Sequence, residues 1–351
     1  MIEIRDAVET DDAALVDLQK RCPMGSSLIL QLDSSPSFFN RSKHQVDNYT
    51  IIAEEDGSVV GSESCAIMEK RVSGKMLKTA YTYNLMVDPN YRRRGIAILL
   101  GKRIEEIARS QNCDLFFGQI TEGNIPSIKS QEKLGSRVIK DSTMYVLLVY
   151  KPQRPSTSTV IRPAEETDLP IIVDLINNTH SEYDLYYPYK PNEFSNLVER
   201  RAFYDLHNII VFEKEGKVEA CLGYWDYNKV TKMTVLQLSR KNRLMNLLLA
   251  FAGIFTKMPR IPDSGQLMKQ YFLQDIGFTK PEYLTELVKH LNNIALENDV
   301  QYLTMLGVED PISEVLSKFM NTTAIEHIHA KPLKELDLTG FGQRKLFLSM
   351  E

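Results

Sequence analysis

The fold of this chain is decided by the stretch YNLMVDPNYRRRGIAILL, residues 83–100. A strand ends at Asp88-Pro89, a basic turn follows, and an apolar stripe at helical spacing begins after Gly95. The first turn of a helix leaves N–H groups unpaired, and the helix dipole adds about half a positive charge there. A glycine at this point lets a diphosphate approach those N–H groups, and the preceding arginines add forked donors for its oxygens. The stretch therefore predicts an anion site built for a diphosphate.

The segments on either side of this stretch predict the rest of the first half. Antiparallel strands come first and a strand–helix–strand–helix order follows, which predicts an α/β fold with a mixed sheet. The predicted strands span residues 50–54, 59–68, 79–87, 114–120 and 143–149, and the predicted helices span residues 95–110 and 125–134.

The two halves of the chain contain matching sequences. IRDAVETD at Ile4–Asp11 matches IRPAEETD at Ile161–Asp168, and Val16–Leu18 matches Val173–Leu175 at the same offset. Two matches that share an offset favour a duplication over a common strand–helix opening. Between the copies, Lys151–Thr159 combines prolines with small and basic residues, which is typical of a linker.

Length and composition bound the function. A chain of 351 residues predicts two domains, and we place them at residues 1–150 and 160–351 on either side of the 151–159 linker. A hydrophobic content of 43% excludes a disordered chain. A net charge of −4 lacks the basic excess that is expected of a nucleic-acid-binding protein. The acidic N-terminus has no apolar segment typical of a secretory signal, so we expect a cytoplasmic protein. The apolar run Leu244–Phe255 is too short to span a membrane, and we expect it in the core, with no membrane partner.

The motif Arg92-x-x-Gly95-x-Ala97 after Val-Asp-Pro resembles the acetyl-CoA motif of the GCN5-related N-acetyltransferases (GNAT). The downstream Asn124-x-x-Ser127 agrees with that family. The resemblance implies two tandem GNAT-like domains, each a twisted mixed β-sheet flanked by helices. A weaker resemblance links the whole chain to plant hookless-type acetyltransferases. The spacing of a dinucleotide site and of a P-loop is absent, which argues against NAD and ATP.

The resemblance also implies which groups hold acetyl-CoA. Backbone groups on the end of the strand would pair with the pantetheine arm, and N–H groups of the turn and helix would hold the pyrophosphate. The start of the next helix would flank the thioester. The implied binding residues are Leu85, Met86, Val87, Arg92, Arg93, Arg94, Gly95, Ile96, Ala97, Ile98, Asn124 and Ser127.

The catalytic groups follow less directly. Many family members place a tyrosine, as general acid, where this chain has Gln131. Tyr83 and Tyr145 are the alternative phenols, although a packed aromatic is the more expected role for Tyr83. Glu122 and Glu63 are the carboxylates that would accept a proton, directly or through water.

These observations predict an N-acetyltransferase that transfers the acetyl group of acetyl-CoA to a primary amine of unknown identity. A non-catalytic acyl-CoA-binding regulator and a purely structural module remain as alternatives. In the second half, the equivalent turn at Leu273–Pro281 has no arginines, and Asp275 is expected near the phosphate position. Pro281 removes a backbone N–H that would donate to the phosphate. We therefore expect acetyl-CoA to bind in the first half only.

Three other features favour structural roles or stay open. His327 and His329 share one face of a predicted strand, but without a third ligand an exposed strand is favoured over a metal site, and we expect no metal. Cys113 is expected to be a buried thiol. The aromatic cluster Tyr183–Tyr189 would line a substrate pocket or pack a core, with the pocket slightly favoured.

Overall fold

A computed structural model describes residues 1–25, 27–155, 160–252 and 257–349. The first half has helices α1 (Asp12–Arg21), α2 (Ile96–Ser110) and α3 (Ile125–Lys133). Its strands are β1 (Glu3–Asp6), β2 (Leu28–Asp33), β3 (Asp47–Glu55), β4 (Ser58–Val72), β5 (Lys75–Val87), β6 (Leu115–Thr121) and β7 (Arg137–Leu148).

The second half repeats this order with an insertion before its central strand. Its helices are α4 (Leu169–Thr179), α5 (Pro191–Arg200), α6 (Arg240–Ala252), α7 (Pro281–Glu297) and α8 (Ile312–Leu316). Its strands are β8 (Val160–Pro163), β9 (Ile209–Lys214), β10 (Lys217–Asp226), β11 (Lys232–Leu238), β12 (Gln270–Phe278), β13 (Tyr302–Met305) and β14 (Asn321–Pro332). No helix in the described ranges is long and apolar enough to cross a membrane.

One mixed sheet joins the two halves. Its strands run in the order β1-β3-β4-β5-β6-β14-β7-β13-β12-β10-β9-β8, while β2 and β11 form a separate ribbon. The order is the same when it is followed inward from either edge, because β1 corresponds to β8, β3 to β9, β4 to β10, β5 to β12 and β6 to β13. The central pairs β5–β6 and β12–β13 are both parallel, and the outer pairs are antiparallel. The predicted α/β class with two tandem GNAT-like domains is confirmed.

The last strands of the two halves are exchanged. β14, from the end of the second half, lies between β6 and β7, while β7 pairs with β13 of the second half. Each half is therefore completed by a strand from the other. The boundaries at 150 and 160 stay a prediction, and strand pairing crosses them.

The matched sequences at the start of each half form the same polar corner. The Arg5 guanidinium donates to Asp11 at 2.7 and 2.8 Å, and that of Arg162 donates to Asp168 at 2.6 and 3.0 Å. Each arginine also pairs with a glutamate of the neighbouring strand, β3 or β9. The shared offset in the sequence thus corresponds to equivalent positions in the fold.

The predicted linker does not behave as an unpacked segment throughout. Lys151 O accepts from Asn292 Nδ2 at 2.9 Å, and Gln153 exchanges two backbone hydrogen bonds with the Asn293 side chain at 2.8 and 2.9 Å. The start of the linker is therefore held against α7. Residues 156–159 of the prediction lie outside the described residues.

Candidate functional site

The two central strands of the first half separate to form a cleft. β5 and β6 are paired from Thr79–Leu115 to Thr82–Gly118, and their pairing ends there. The next residues of β5 include Asn84, which has a φ of 54° in the left-handed region, and the register with β4 shifts at this point. A bulge of this kind bends the strand and increases its twist. β5 therefore turns away from β6 and leaves a cleft beside Leu85–Val87.

Backbone groups of Leu85 and Val87 face this cleft. Met86 is paired with Ser62 of β4, and Asp88 N donates to Val60 O at 2.9 Å. In an antiparallel pair, successive residues direct their N–H and C=O groups to opposite edges of the strand. The predicted partners of a pantetheine arm are thus placed on an open strand edge.

The turn between β5 and α2 is held by Asp88. Its carboxylate accepts from Asn90 N at 2.9 Å and from Arg21 Nε at 2.8 Å. Burial opposes its ionisation, but these hydrogen bonds outweigh burial and lower the pKa of Asp88. The carboxylate therefore stays charged and fixes the turn that precedes the helix.

Gly95 is the residue from which α2 begins. Its φ is 81°, and its carbonyl oxygen accepts from Ile98 N at 3.0 Å and Leu99 N at 3.1 Å. A Cβ placed on Gly95 would meet nothing within 4 Å, so the space above the turn is open. The N–H groups of Ile96 and Ala97, which precede these bonds, have no intrahelical partner and lie at the positive end of the helix dipole. The predicted anion site is therefore both electropositive and accessible.

The three arginines of the turn have different surroundings. Arg92 Nε donates to Val87 O at 3.2 Å, and Arg93, with a φ of 64°, is exposed. Arg94 makes two hydrogen bonds to Glu55, at 2.6 and 2.7 Å. Arg92 and Arg93 are thus available to a ligand at the turn, whereas Arg94 already has a carboxylate partner.

A buried carboxylate lies at the base of the cleft. Glu63 of β4 is fully buried, and its Oε1 accepts from Thr82 Oγ1 at 2.6 Å, where β5 and β6 separate. Its other oxygen, Oε2, has no hydrogen-bond partner within the part of the chain that the structure describes. Burial raises the pKa of Glu63 to about 7. This group therefore changes charge near neutral pH.

The opposite face of the sheet carries a second buried carboxylate. Glu326 of β14 accepts from Thr121 Oγ1 of β6 at 2.9 Å, and burial raises its pKa. Ile328 and Ala330, which alternate with it along β14, pack with Tyr81 on the face away from α2. Glu326 was missed by sequence reasoning because it is 205 residues from Thr121 and the strand exchange brings it there.

The predicted catalytic residues are not brought together. Tyr83 is buried, its hydroxyl lies within hydrogen-bonding distance of the side-chain oxygens of Asn48 and Gln45, and burial raises its pKa. Tyr145 lies on β7, opposite Met305, and packs against the core of the second half. β14 separates it from β6, so the structure places it away from the cleft.

Glu122 and the start of α3 follow β6 at the cleft. Glu122 is exposed, and its N–H donates to Ile325 O of β14 at 2.8 Å. Asn124 caps α3 by accepting from Ser127 N at 3.5 Å. Gln131 is buried, and Ser136 Oγ donates to its Oε1 at 3.2 Å. The position of the customary tyrosine is therefore closed off by packing.

The equivalent turn of the second half has no anion site. Only Thr279 and Lys280 separate β12 from α7, and Pro281 opens the helix. Thr279 Oγ1 donates to Glu219 Oε2 at 2.6 Å, and Lys280 is the residue that precedes the helix. A Cβ on Gly277 would lie 2.5 Å from the backbone of α4, so this glycine serves packing.

Asp275 is not near a phosphate position, contrary to expectation. It lies inside β12, is 8% exposed, and accepts from Arg201 Nη1 at 2.9 Å and Tyr204 Oη at 2.5 Å. Its role in the structure is to hold the segment after α5 against the sheet.

The remaining residues that the sequence singled out are packed or paired within the fold. Tyr183 and Tyr186 are core residues, so the expectation of a pocket there is wrong. Burial raises the pKa of Cys113 to about 11, which suits an inert thiol. His327 Nδ1 lies 2.7 Å from Asp141, and among the described residues no cluster of three His, Cys, Asp or Glu side chains could hold a metal.

The Acetyltransferase (GNAT) family matches residues 13–135, which include the cleft, the turn at Gly95 and the start of α3. Residues 13–135 therefore form a GNAT domain. No curated protein sequence matches the chain at a significant level. The GNAT match covers the half that carries the open anion site, so this half has the fold of a GNAT acyltransferase, a fold that binds acyl-CoA.

Solved structures share the tandem GNAT fold along nearly the whole chain. Saccharomyces cerevisiae N-myristoyltransferase with bound myristoyl-CoA superposes with a TM-score of 0.67 at 10% identity, covering 99% of this chain and 85% of that one. A GCN5-related N-acetyltransferase from Anabaena variabilis gives 0.54 at 12% identity, with 95% and 73% covered. A probable N-acyltransferase from Enterococcus faecalis gives 0.52 at 10% identity, with 97% and 74% covered. The resemblance to hookless-type proteins stays a prediction.

Proposed function

We propose that this GNAT protein transfers the acetyl group of acetyl-CoA to a primary amine. The observation that carries the proposal is the open, left-handed Gly95 at the start of α2, next to the cleft beside Leu85–Val87. A pyrophosphate at the helix N-terminus would leave the pantetheine arm directed along that strand edge. Only the first half offers this combination among the described residues, so one acetyl-CoA would bind per chain.

A short acyl group suits the space at the base of the cleft. Tyr81 stacks on Tyr83, with ring centroids 5.5 Å apart, and contacts Phe117 at 5.2 Å. The cavity lined by Tyr81, Phe117, Gln119 and Lys70 has a volume of about 10 Å³, room for about one water molecule. An acetyl group needs little more space, whereas a long chain would require the aromatic rings to move.

The amine would approach from the face opposite α2. There Glu326 is the carboxylate best placed to accept its proton, since its raised pKa makes it a stronger base than an exposed glutamate. Exposed Glu122 remains the alternative. The N–H groups of Leu85 and Val87 on the open strand edge would stabilise the oxyanion that forms on attack at the thioester carbonyl. The thiolate would leave without a tyrosine, because a thiol has a pKa of only ~8.5.

The proposal is tested by release of free CoA thiol from acyl-CoA donors of increasing chain length, each offered with a panel of primary amines. We expect turnover with acetyl-CoA that falls as the chain lengthens. Faster turnover with long chains would reject the acetyl assignment but keep N-acyl transfer. Tight binding of acetyl-CoA without release for any amine would reject catalysis and favour an acyl-CoA-binding regulator.

We further propose that the second half braces the first and shapes the acceptor side, since β14 supplies Glu326 to the cleft. The four cysteines are free thiols, and three of them are buried. Free thiols are typical of a reducing compartment, and they support the cytoplasm as the proposed location.

A further inference from the structure

Helix α6 presents its apolar side chains to solvent. Leu244, Leu247 and Leu248 are 59%, 68% and 58% exposed, and Phe251 is 66% exposed. Their spacing of three and four residues places them on one face of the helix. The expectation that the Leu244–Phe255 run belongs to the core is therefore wrong for Leu244, Leu247, Leu248 and Phe251, and residues 253–255 lie outside the described residues.

The opposite face of α6 is the one that contacts the protein, and it does so through polar groups. Asn246 Nδ2 donates to Ile261 O at 2.7 Å, and its Oδ1 accepts from Ile261 N at 3.1 Å. Asn242 Nδ2 donates to Ser27 O at 3.1 Å. At 100° per residue, these asparagines lie on the side opposite the leucines. The asparagine side chains therefore anchor the helix to the protein, and its apolar face points to solvent, which is the reverse of an ordinary surface helix.

The charged residues of the segment that contains this apolar face have a single sign. The sequence between Leu238 and Asp263 contains five basic residues and no Asp or Glu. Three of them, Arg240, Lys241 and Arg243, open the helix, and Lys257 and Arg260 follow it. All five of these basic residues are exposed. An apolar face between clusters of cations is complementary to lipid chains beneath anionic headgroups.

We propose that α6 binds the surface of an anionic membrane and lies in the interface, with its leucines among the upper lipid chains. From Leu244 to Phe251 the outer face carries aliphatic groups and a phenyl ring, and Arg240 lies on the same face at the N-terminal end of the helix, an arrangement that suits lipid chains beneath anionic headgroups. At 13 residues the helix lies on a bilayer rather than across it. This proposal replaces the expectation that the chain has no membrane partner, and it brings the acyltransferase to a lipid surface.

The test is co-sedimentation of the full chain with vesicles of phosphatidylcholine alone or mixed with phosphatidylserine. We expect binding to the mixed vesicles at least ~10-fold tighter than to phosphatidylcholine, weakened by salt because surface charges are screened. The triple variant Leu244→Ser/Leu247→Ser/Leu248→Ser should lose binding. The variant Lys241→Gln/Arg243→Gln should lose the preference for phosphatidylserine.

The matched control is Ile171→Ser, which removes an apolar side chain that is 39% exposed on α4 and should leave vesicle binding unchanged. Circular dichroism and CoA release with a soluble amine should be the same for all variants, since α6 lies outside the proposed site. Equal sedimentation with and without vesicles would overturn the proposal. A concentration-dependent dimer abolished by the triple serine variant would overturn it too, and would assign this face to a second copy of the chain.

Discussion

Asn84 and Asp275 occupy the same place in the two halves, and each is held by an arginine. Both have a left-handed backbone, with φ of 54° and 50°, in the bulged central strand of their half. Arg41 Nη1 donates to Asn84 Oδ1 at 2.6 Å, and Arg201 Nη1 donates to Asp275 Oδ2 at 2.9 Å. Both halves thus shape their central strand in the same way, with a neutral acceptor in the half that has the open Gly95 turn and a charged acceptor in the other half.

This relationship predicts unequal effects of two substitutions at Asp275. Asp275→Ala leaves the buried guanidinium of Arg201 without its counter-charge, which costs ~3–5 kcal/mol of unfolding free energy. Asp275→Asn keeps the acceptor oxygen and reproduces the arrangement at Asn84, so its loss should be smaller. Urea denaturation of both variants measures the difference. Equal losses would show that the hydrogen bond contributes nothing beyond the charge.

Substitution of Gly95 should weaken acetyl-CoA binding. A valine there adds a branched side chain in the space that the pyrophosphate needs, and we expect Gly95→Val to raise the dissociation constant at least ~10-fold, or ~1.4 kcal/mol. Isothermal titration calorimetry should give one site per chain for the unmodified protein. Two equivalent sites would contradict the proposal that the second half has lost its site.

Gly57 provides the matched control for this substitution. Its φ is 75° against 81° for Gly95, and a Cβ on either residue would meet nothing within 4 Å. Gly57→Val therefore imposes a similar backbone penalty in the β3–β4 hairpin, away from the cleft. An equal loss of affinity in both variants would mean that backbone strain, rather than contact with the ligand, is responsible.

The buried Glu63 makes stability depend on pH. Its pKa of about 7 lies above the ordinary value of 4.5. Between pH 4.5 and about pH 7, Glu63 of the folded protein therefore keeps a proton that the unfolded chain has lost. Stability therefore falls as the pH rises from about 4.5 to about 7, by an amount on the order of 3 kcal/mol. Glu63→Gln removes this penalty and should be more stable than the parent at about pH 8, with little difference near pH 4.5.

Thermal unfolding across this pH range measures the effect. Glu122→Gln is the control, because the exposed Glu122 side chain should give a curve parallel to that of the parent. A constant difference between Glu63→Gln and the parent at every pH would mean that Glu63 keeps one protonation state throughout the range.

The catalytic base is distinguished by the pH profile of kcat/KM. Glu326→Gln should lower kcat by ~10²-fold or more and abolish the acidic limb of the profile, because general-base catalysis contributes ~10²–10⁴-fold. Tyr145→Phe should leave kcat unchanged, since β7 places that phenol in the core of the second half. Loss of the acidic limb in Glu122→Gln instead would assign the base to Glu122.

The local parts of this structure were predictable from sequence, and the long-range parts were not. Periodicity and turn residues located α2, α3 and the Gly95 turn, because these depend on neighbours within a few residues. Glu326 was missed, and Tyr145 was expected near the cleft but lies away from it. The positions of both residues depend on which strand pairs with β6. Likewise, an apolar run would normally be buried, but hydrogen bonds of Asn242 and Asn246 hold α6 with its apolar face toward solvent.

The strand exchange predicts that the first half is not an independent unit. In a fragment of residues 1–150, β6 loses the neighbour that β14 provides, and β7 loses both of its partners. An unpaired edge in the centre of a sheet is a template for association with other chains. We expect this fragment to be aggregated or markedly destabilised alone, and to become soluble when it is co-expressed with residues 151–351. Size-exclusion chromatography and circular dichroism of the two preparations test this. A monomeric fragment with cooperative unfolding would show instead that β7 can take the place of β14 beside β6, so that the exchange is a choice between two pairings.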